Sequence, residues 1–275
     1  MQNWIRIIIM AAAQGVTEFL PVSSSGHLVV LGKLFGFDAD ANLSLGIFMH
    51  AGSLFAIVAF YFKLLLGFFK KEQFHLLLMI VVGSVPAAVA GVTLKLTGWG
   101  AKLFDDPLIT GMAFLVTGAL LQLTGRKKLV PDQEQAVAVK DVTLKQAVTI
   151  GLVQMCAILP GISRSGSTIS AGVLCGVKRE DAAAFSFLLA LPAIGGATLI
   201  ELLSALRGSG DAAQALPALQ LVLAVAVSFL FSMGALVCVV SIVKKSRLSV
   251  FSWYLFVLGI AVIVWQAATI YNGVK

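Results

Sequence analysis

The chain has 275 residues, is 59% hydrophobic and only 12% charged. Soluble domains carry roughly 25% charged residues, so this composition excludes an ordinary soluble enzyme and points to an integral membrane protein. The net charge of +7 does not indicate nucleic-acid binding. Positive charge in a membrane protein usually marks its cytoplasmic loops.

In chain order, the sequence predicts an apolar helix from about Trp4 to Leu20, a break from Pro21 to Gly26, and a short segment from His27 to Phe35. Three longer apolar segments follow, at about Leu43 to Phe62, His75 to Leu94 and Pro107 to Leu123. Gly125 to Asp141 is the longest polar stretch and reads as a linker. Then the pattern returns: about Leu144 to Leu159, a break from Pro160 to Gly166, and Ser167 to Cys175. Its long segments are about Ala182 to Leu202, Pro217 to Val243 and Val250 to Tyr271.

The two halves match at an offset of 140 residues. Gln14 precedes Ser23-Ser24-Ser25-Gly26 by nine positions, Gln154 precedes Ser163-Arg164-Ser165-Gly166 by nine, and Gly36 falls on Gly176. Arg6, an apolar run and Ala11-Ala12-Ala13 resemble a signal peptide. The repeat partner of this segment lies inside the chain, so it is read as part of the fold. Cys156, Cys175 and Cys238 form no ligand or redox spacing and are read as small packing residues.

His27 to Phe35 would make a helix of only about 13 Å, against a hydrocarbon layer of about 30 Å. Short helices around a Pro/Gly/Ser break predict a re-entrant hairpin, tolerated at membrane depth where it is buried in protein or lines a wet cavity. A hairpin returns to its own side and three spanning helices cross three times, so the second half must be inverted, as in many transporter folds.

The expected fold is therefore an all-α polytopic integral membrane protein with an inverted-topology repeat. Each half is a re-entrant helical hairpin plus three transmembrane helices. Residues 1–275 form one membrane domain, with repeats over 1–124 and 142–275 and a cytoplasmic linker at 125–141.

Charge placement agrees with this topology. Lys70, Lys71, Arg126, Lys127, Lys128, Lys140, Lys145, Lys178, Arg179, Lys244, Lys245 and Arg247 fall on one side, against Lys95, Lys102, Arg207 and Lys275 on the other. The first side is thus cytoplasmic, and both termini and the first hairpin's entrance face outward. A spanning pair in place of each hairpin gives the same loop sides, so charge supports the topology and not the hairpins.

The chemistry sits in the breaks. Gln14 and Glu18 share a helix face, Pro21 ends that helix, and Ser23, Ser24 and Ser25 can cap the next one. A helix start attracts anions, phosphate in particular. The second break adds Ser163, Arg164, Ser165, Ser167 and Thr168, and arginine suits bidentate phosphate binding. An arginine near the membrane centre needs a partner, supplied by Glu18 or by a phosphate ligand. His27, three residues after Ser24, is read as a general acid or base, the alternative being a satisfied buried histidine. Glu18 has a purely structural alternative as the partner of Arg164. The serines, with Ser167 and Thr168, have one as caps. His50 is left unassigned toward the cavity, and His75 at a membrane edge.

These residues resemble the undecaprenyl-diphosphatase family, also called bacitracin-resistance proteins. Its first signature, (E/Q)xxxE running into PVSS(S/T)GH, matches Gln14, Glu18, Pro21 and Ser23 to His27. Its second, PGxSRSxxT, matches Pro160, Gly161, Ser163, Arg164, Ser165 and Thr168. The resemblance implies hydrolysis of undecaprenyl diphosphate to the monophosphate and phosphate, in a bacterial inner membrane, at a site facing outward, with a role in bacitracin resistance. It implies a catalytic set of Ser24, His27, Glu18 and Arg164. Ser23, Ser25, Gly26, Ser163, Ser165 and Thr168 would bind substrate. A divalent metal, Mg²⁺ or Ca²⁺, would lie near Glu18 and Gln14. Gln14 stands where many relatives carry Glu, which weakens a two-carboxylate metal site.

Under this reading Ser24 attacks phosphorus with His27 taking its proton, or a water activated by His27 or Glu18 attacks instead. The partners are a polyprenyl diphosphate and the bilayer, and Gly195-Gly196 admits close contacts within a chain or in a homodimer. A PAP2-type phosphatase is excluded because no histidine follows Ser163-Arg164 within a few residues. The remaining alternative is a lipid-phosphate transporter or flippase built on the same repeat.

Overall fold

The computed structural model describes residues 2–36, 39–68, 73–97, 106–126, 128–206 and 217–273. Helices α1 (Gln2–Phe19) and α2 (Ser24–Phe35) form a first hairpin. It is followed by α3 (Ala39–Phe60), α4 (Phe62–Gly67), α5 (Phe74–Thr97) and α6 (Pro107–Gly125). The second hairpin is α7 (Leu144–Cys156) and α8 (Arg164–Leu174), followed by α9 (Arg179–Leu206), α10 (Ala218–Lys244) and α11 (Val250–Gly273). The protein is all-α among the described residues, apart from an isolated parallel bridge between Val137 and Val177.

Among the described residues, five segments are long and apolar enough to cross a bilayer: Phe74–Leu94, Pro107–Gly125, Arg179–Leu199, Ala218–Lys244 and Val250–Asn272. The apolar part of α3, Leu45–Phe60, is shorter. Outward stripes such as Val81, Val85 and Val89 on α5 and Val257, Ile260 and Val264 on α11 stay exposed, as lipid-facing side chains do. This is a multi-pass membrane protein. Of the cations that set the expected sidedness, Lys70, Lys71, Lys102, Lys127, Arg207, Lys275 and the side chain of Lys95 lie outside the described residues.

Both breaks differ in extent from the sequence reading. Helix α2 begins at Ser24 and α8 at Arg164, because Ser23 Oγ accepts from the Gly26 amide at 3.4 Å and Ser163 Oγ from the Gly166 amide at 3.0 Å. A serine cap starts the helix at the next residue, so most of the Ser/Gly motif is helical rather than loop. The second break also opens earlier, with α7 ending at Cys156. With 12, 13 and 11 residues, α2, α7 and α8 are about 16–20 Å long, too short to cross alone.

The hairpins are clamped across the halves. Helix α1 packs on α10 of the second half, and α7 packs on α5 of the first. These two pairs exchange under the 140-residue offset between the repeats. Glycine makes the contacts close: a Cβ on Gly15 would sit 2.5 Å from the Ser228 carbonyl oxygen, and one on Gly151 would sit 2.4 Å from that of Gly83. Small residues let helix backbones approach where lipid supplies no hydrophobic drive between helices. Ser53, Ser228 and Ser232 share buried hydrogen bonds of 3.0–3.2 Å that tie α3 to α10.

The linker is not a loose tether. The Val137 amide donates to the Gly176 carbonyl and the Lys178 amide to that of Val137, both at 2.9 Å. Val142 is fully buried. The bridge fixes the exit of α8 and the entry of α9. His75 donates to the Val142 carbonyl at 2.9 Å, a structural bond at the same end.

Candidate active site

Glu18 is the hub. It lies in the last turn of α1, with a side chain only 6% exposed. Its Oε2 accepts from Gln14 Nε2 at 2.7 Å and from Ser24 Oγ at 2.6 Å, and its Oε1 accepts from Arg164 Nη2 at 2.7 Å. Taking a carboxylate out of water costs several kcal/mol. A guanidinium and two neutral donors on the two oxygens offset that cost and hold Glu18 ionised. Ser24 and Arg164 are the first residues of α2 and α8, so both helix starts present their side chains to this carboxylate. Arg164 is steadied from behind by the Ser186 carbonyl, 3.3 Å from Nη1.

The tips of the hairpins touch directly. Gly161 N donates to Ser23 Oγ at 3.1 Å, and Ser165 Oγ donates to the Leu20 carbonyl at 3.0 Å. A Cβ on Gly26 would come within 3.0 Å of Gly161 Cα. Thr117 on α6 braces the second tip, since its Oγ1 donates to the Gly161 carbonyl at 2.9 Å and accepts from the Ser163 amide at 3.1 Å. Gly161 has φ +95° and has no room for a Cβ, which would lie 2.4 Å from the Thr110 carbonyl oxygen.

The expected site residues separate into two groups. Glu18, Ser24, Arg164 and Gln14 come together. Ser23, Gly26, Ser163, Ser165 and Thr168 are buried, and their polar atoms are spent inside the protein. Ser163 and Ser165 share a hydroxyl contact of 3.2 Å, and Thr168 Oγ1 lies 2.6 Å from Ser186 Oγ. Ser25 is the exposed member of the expected substrate-binding set. Both ring nitrogens of His27 are engaged away from Ser24: Nδ1 with the Ser23 carbonyl at 2.7 Å, and Nε2 with Tyr254 Oη at 2.6 Å. The hydroxyl of Ser24 goes to Glu18 instead.

Several residues had no role assigned from the sequence, His50 among them although it was placed toward the cavity. His50 on α3 places Nε2 3.9 Å from Glu18 Oε2, while its Nδ1 donates to the Gly46 carbonyl at 2.7 Å. Its signal was present, because an ionisable side chain inside a membrane helix marks function by default. Thr117, Ser186 and Tyr254 gave no such signal, being single polar residues in apolar runs.

A divalent ion would find a short donor set. Gln14 Oε1 is buried without a hydrogen-bond partner, beside Glu18. No group of three or more His, Cys, Asp or Glu with metal-ligand geometry occurs among the described residues. One orphaned amide oxygen and one carboxylate fit an ion such as Mg²⁺ that draws most ligands from phosphate and water.

Fold and site together define a multi-pass membrane protein carrying a partly buried Ser–Glu–Arg cluster, built where two broken helices meet. Residues 7–261 match the family described as Bacitracin resistance protein BacA. The chain belongs to that family. It is 36% identical over 263 residues to an undecaprenyl-diphosphatase of Rhodopirellula baltica, covering 96% of this chain and 98% of the relative. It is likewise 36% identical to an undecaprenyl-diphosphatase of Carboxydothermus hydrogenoformans, covering 97% and 98%. Undecaprenyl-diphosphatase 4 of Bacillus cereus is 35% identical, covering 98% and 100%.

Proposed function

We propose that this protein hydrolyses undecaprenyl diphosphate to undecaprenyl phosphate and inorganic phosphate. It would thereby recycle the cell-wall lipid carrier and confer bacitracin resistance. The observation that carries this reading is the Ser24–Glu18–Arg164 cluster, with Ser24 Oγ 2.6 Å and Arg164 Nη2 2.7 Å from the two oxygens of one carboxylate.

Ser24 is the nucleophile and Glu18 its base. As the Ser24 Oγ–P bond forms, the bond from phosphorus to the bridging oxygen breaks and the Ser24 proton passes to Glu18 Oε2. Protonation of Glu18 releases Arg164 from its partner at the moment when charge develops on the phosphoryl oxygens. The guanidinium then follows the charge, the kind of stabilisation on which phosphoryl transfer mainly depends. Glu18 hands the proton to the departing undecaprenyl phosphate. Water then attacks the phosphoserine phosphorus: a water O–P bond forms, the Ser24 Oγ–P bond breaks, and Glu18 takes a water proton and returns it to Ser24 Oγ, releasing inorganic phosphate. Gln14 and Glu18 would hold a divalent ion, Mg²⁺ or Ca²⁺, which would supply neutralisation of the diphosphate charge.

The apolar groove of about 510 Å³ between α3 and α10, lined by Phe48, Phe55, Leu221, Val225 and Phe229, has the chemistry to seat an isoprenoid tail. The bacterial plasma membrane, an inverted pair of halves and a site open to the outer face complete the reading.

The test is phosphate release from undecaprenyl diphosphate in detergent, where nothing can be transported. Release should require a divalent ion, stop with a chelator, and leave a trappable phosphoserine that Ser24→Ala abolishes. No release with Mg²⁺ present would instead favour lipid-phosphate transport. Full turnover by Ser24→Ala would make water the nucleophile.

A further inference from the structure

Ser23, the residue before the nucleophile, has φ +69° and ψ +96°, a conformation that costs a non-glycine residue about 1–3 kcal/mol. Something must hold it. Its Oγ accepts from the Gly26 and Gly161 amides at 3.4 and 3.1 Å. Its carbonyl oxygen accepts from the His27 amide at 3.2 Å and from the His27 ring at 2.7 Å. A carbonyl can only accept, so Nδ1 carries a proton. In the neutral ring Nε2 is then an acceptor, and the Tyr254 phenol 2.6 Å away donates to it. The two rings also lie parallel, 8° apart in plane with centroids 5.8 Å apart, and Phe114 packs edge-on against His27 with centroids 5.5 Å apart. Tyr254 comes from α11, 227 positions along the chain.

Resting on the hydrolase reading above, we propose that His27 and Tyr254 are positioning residues. Tyr254 fixes the tautomer and plane of His27, and His27 pins the strained Ser23 carbonyl so that Ser24 is presented to Glu18. In this arrangement His27 takes no proton from Ser24. Its ring is a fixed donor, and the last helix of the protein sets the geometry of the first hairpin.

Three variants test this in detergent with undecaprenyl diphosphate and Mg²⁺. An asparagine at position 27 can offer an amide N–H in place of Nδ1–H but cannot act as a base. His27→Asn is therefore expected to keep most of the kcat that His27→Ala loses. Tyr254→Phe keeps the stacked ring and deletes only the hydroxyl. It should lower kcat about fivefold, the worth of one hydrogen bond, with KM unchanged and no further loss in the His27→Asn background.

The ¹⁵N resonances of the His27 ring, read without substrate, should show a hydrogen-bonded Nε2 that loses its partner in Tyr254→Phe. The proposal is overturned if His27→Asn is as inactive as His27→Ala, if Tyr254→Phe leaves kcat and the Nε2 resonance unmoved, or if it costs as much in the His27→Asn background. Absence of phosphate release by the wild type would instead count against the hydrolase reading, and the ring resonances still report the His27–Tyr254 pair.

Discussion

The two hairpins are built alike and used differently. In the first, Ser23 caps α2 and its hydroxyl lies 3.3 Å from that of Ser25; in the second, Ser163 caps α8 and its hydroxyl lies 3.2 Å from that of Ser165. At the offset of 140, however, Glu18 corresponds to Ile158, Ser24 to Arg164 and His27 to Ser167. Gln14 bonds Glu18, whereas neither amide atom of buried Gln154 has a partner. Ser24 and His27 are partly open, while Ser165 to Val173 of α8 are wholly buried. The capped-serine scaffold is thus present twice and the Glu18-centred cluster once, with one guanidinium of the second hairpin, that of Arg164, reaching across to Glu18.

Substitutions at matched positions break or sharpen this contrast. The largest effects belong to the first hairpin. Ser24→Ala should reduce phosphate release to background while thermal stability stays near wild type. Glu18→Gln should cost about 10²–10⁴-fold in kcat, the range for a lost general base, measured as phosphate release.

Next come the clamps of the second hairpin, read as stability. Gly161→Ala forces a Cβ to 2.4 Å from a backbone oxygen at φ +95° and should lower stability by more than about 1–3 kcal/mol, measured by thermal melting in detergent. Thr117→Val leaves the buried Ser163 amide without an acceptor and should cost about 1–3 kcal/mol. The smallest change is Ser163→Ala, a lost cap worth about 1 kcal/mol, with kcat within a few-fold of wild type. If Ser163→Ala removed activity as fully as Ser24→Ala, the division between chemistry and clamp would fail.

Much of this was legible in the sequence because local rules suffice for it. Hydropathy and length give the long helices, and the spacing of Gln14 and Glu18 puts them on one face. The matched Ser/Gly segments announce two equivalent breaks. The far limits of the breaks were misplaced because a capping serine starts a helix at the next residue. The pairing of Ser24 with His27 was expected from their spacing of three residues. The ring instead turns to Tyr254, a partner that no local rule connects to it. Thr117 was unreadable for the same reason, since a threonine in an apolar helix ordinarily bonds its own backbone, as this one also does at 3.1 Å to Ala113.

The sequence by itself determined that the chain is a helical membrane protein with a duplicated polar break, because hydrophobic period, composition and repetition are properties of neighbouring residues. Only the tertiary structure decided that Ser24 faces Glu18, that Arg164 closes the cluster from the other half, and that Tyr254 holds His27. The first pairing spans 6 positions and is set by the turn between α1 and α2; the other two span 146 and 227 positions and are set by how helices from the two halves pack, which no local pattern encodes.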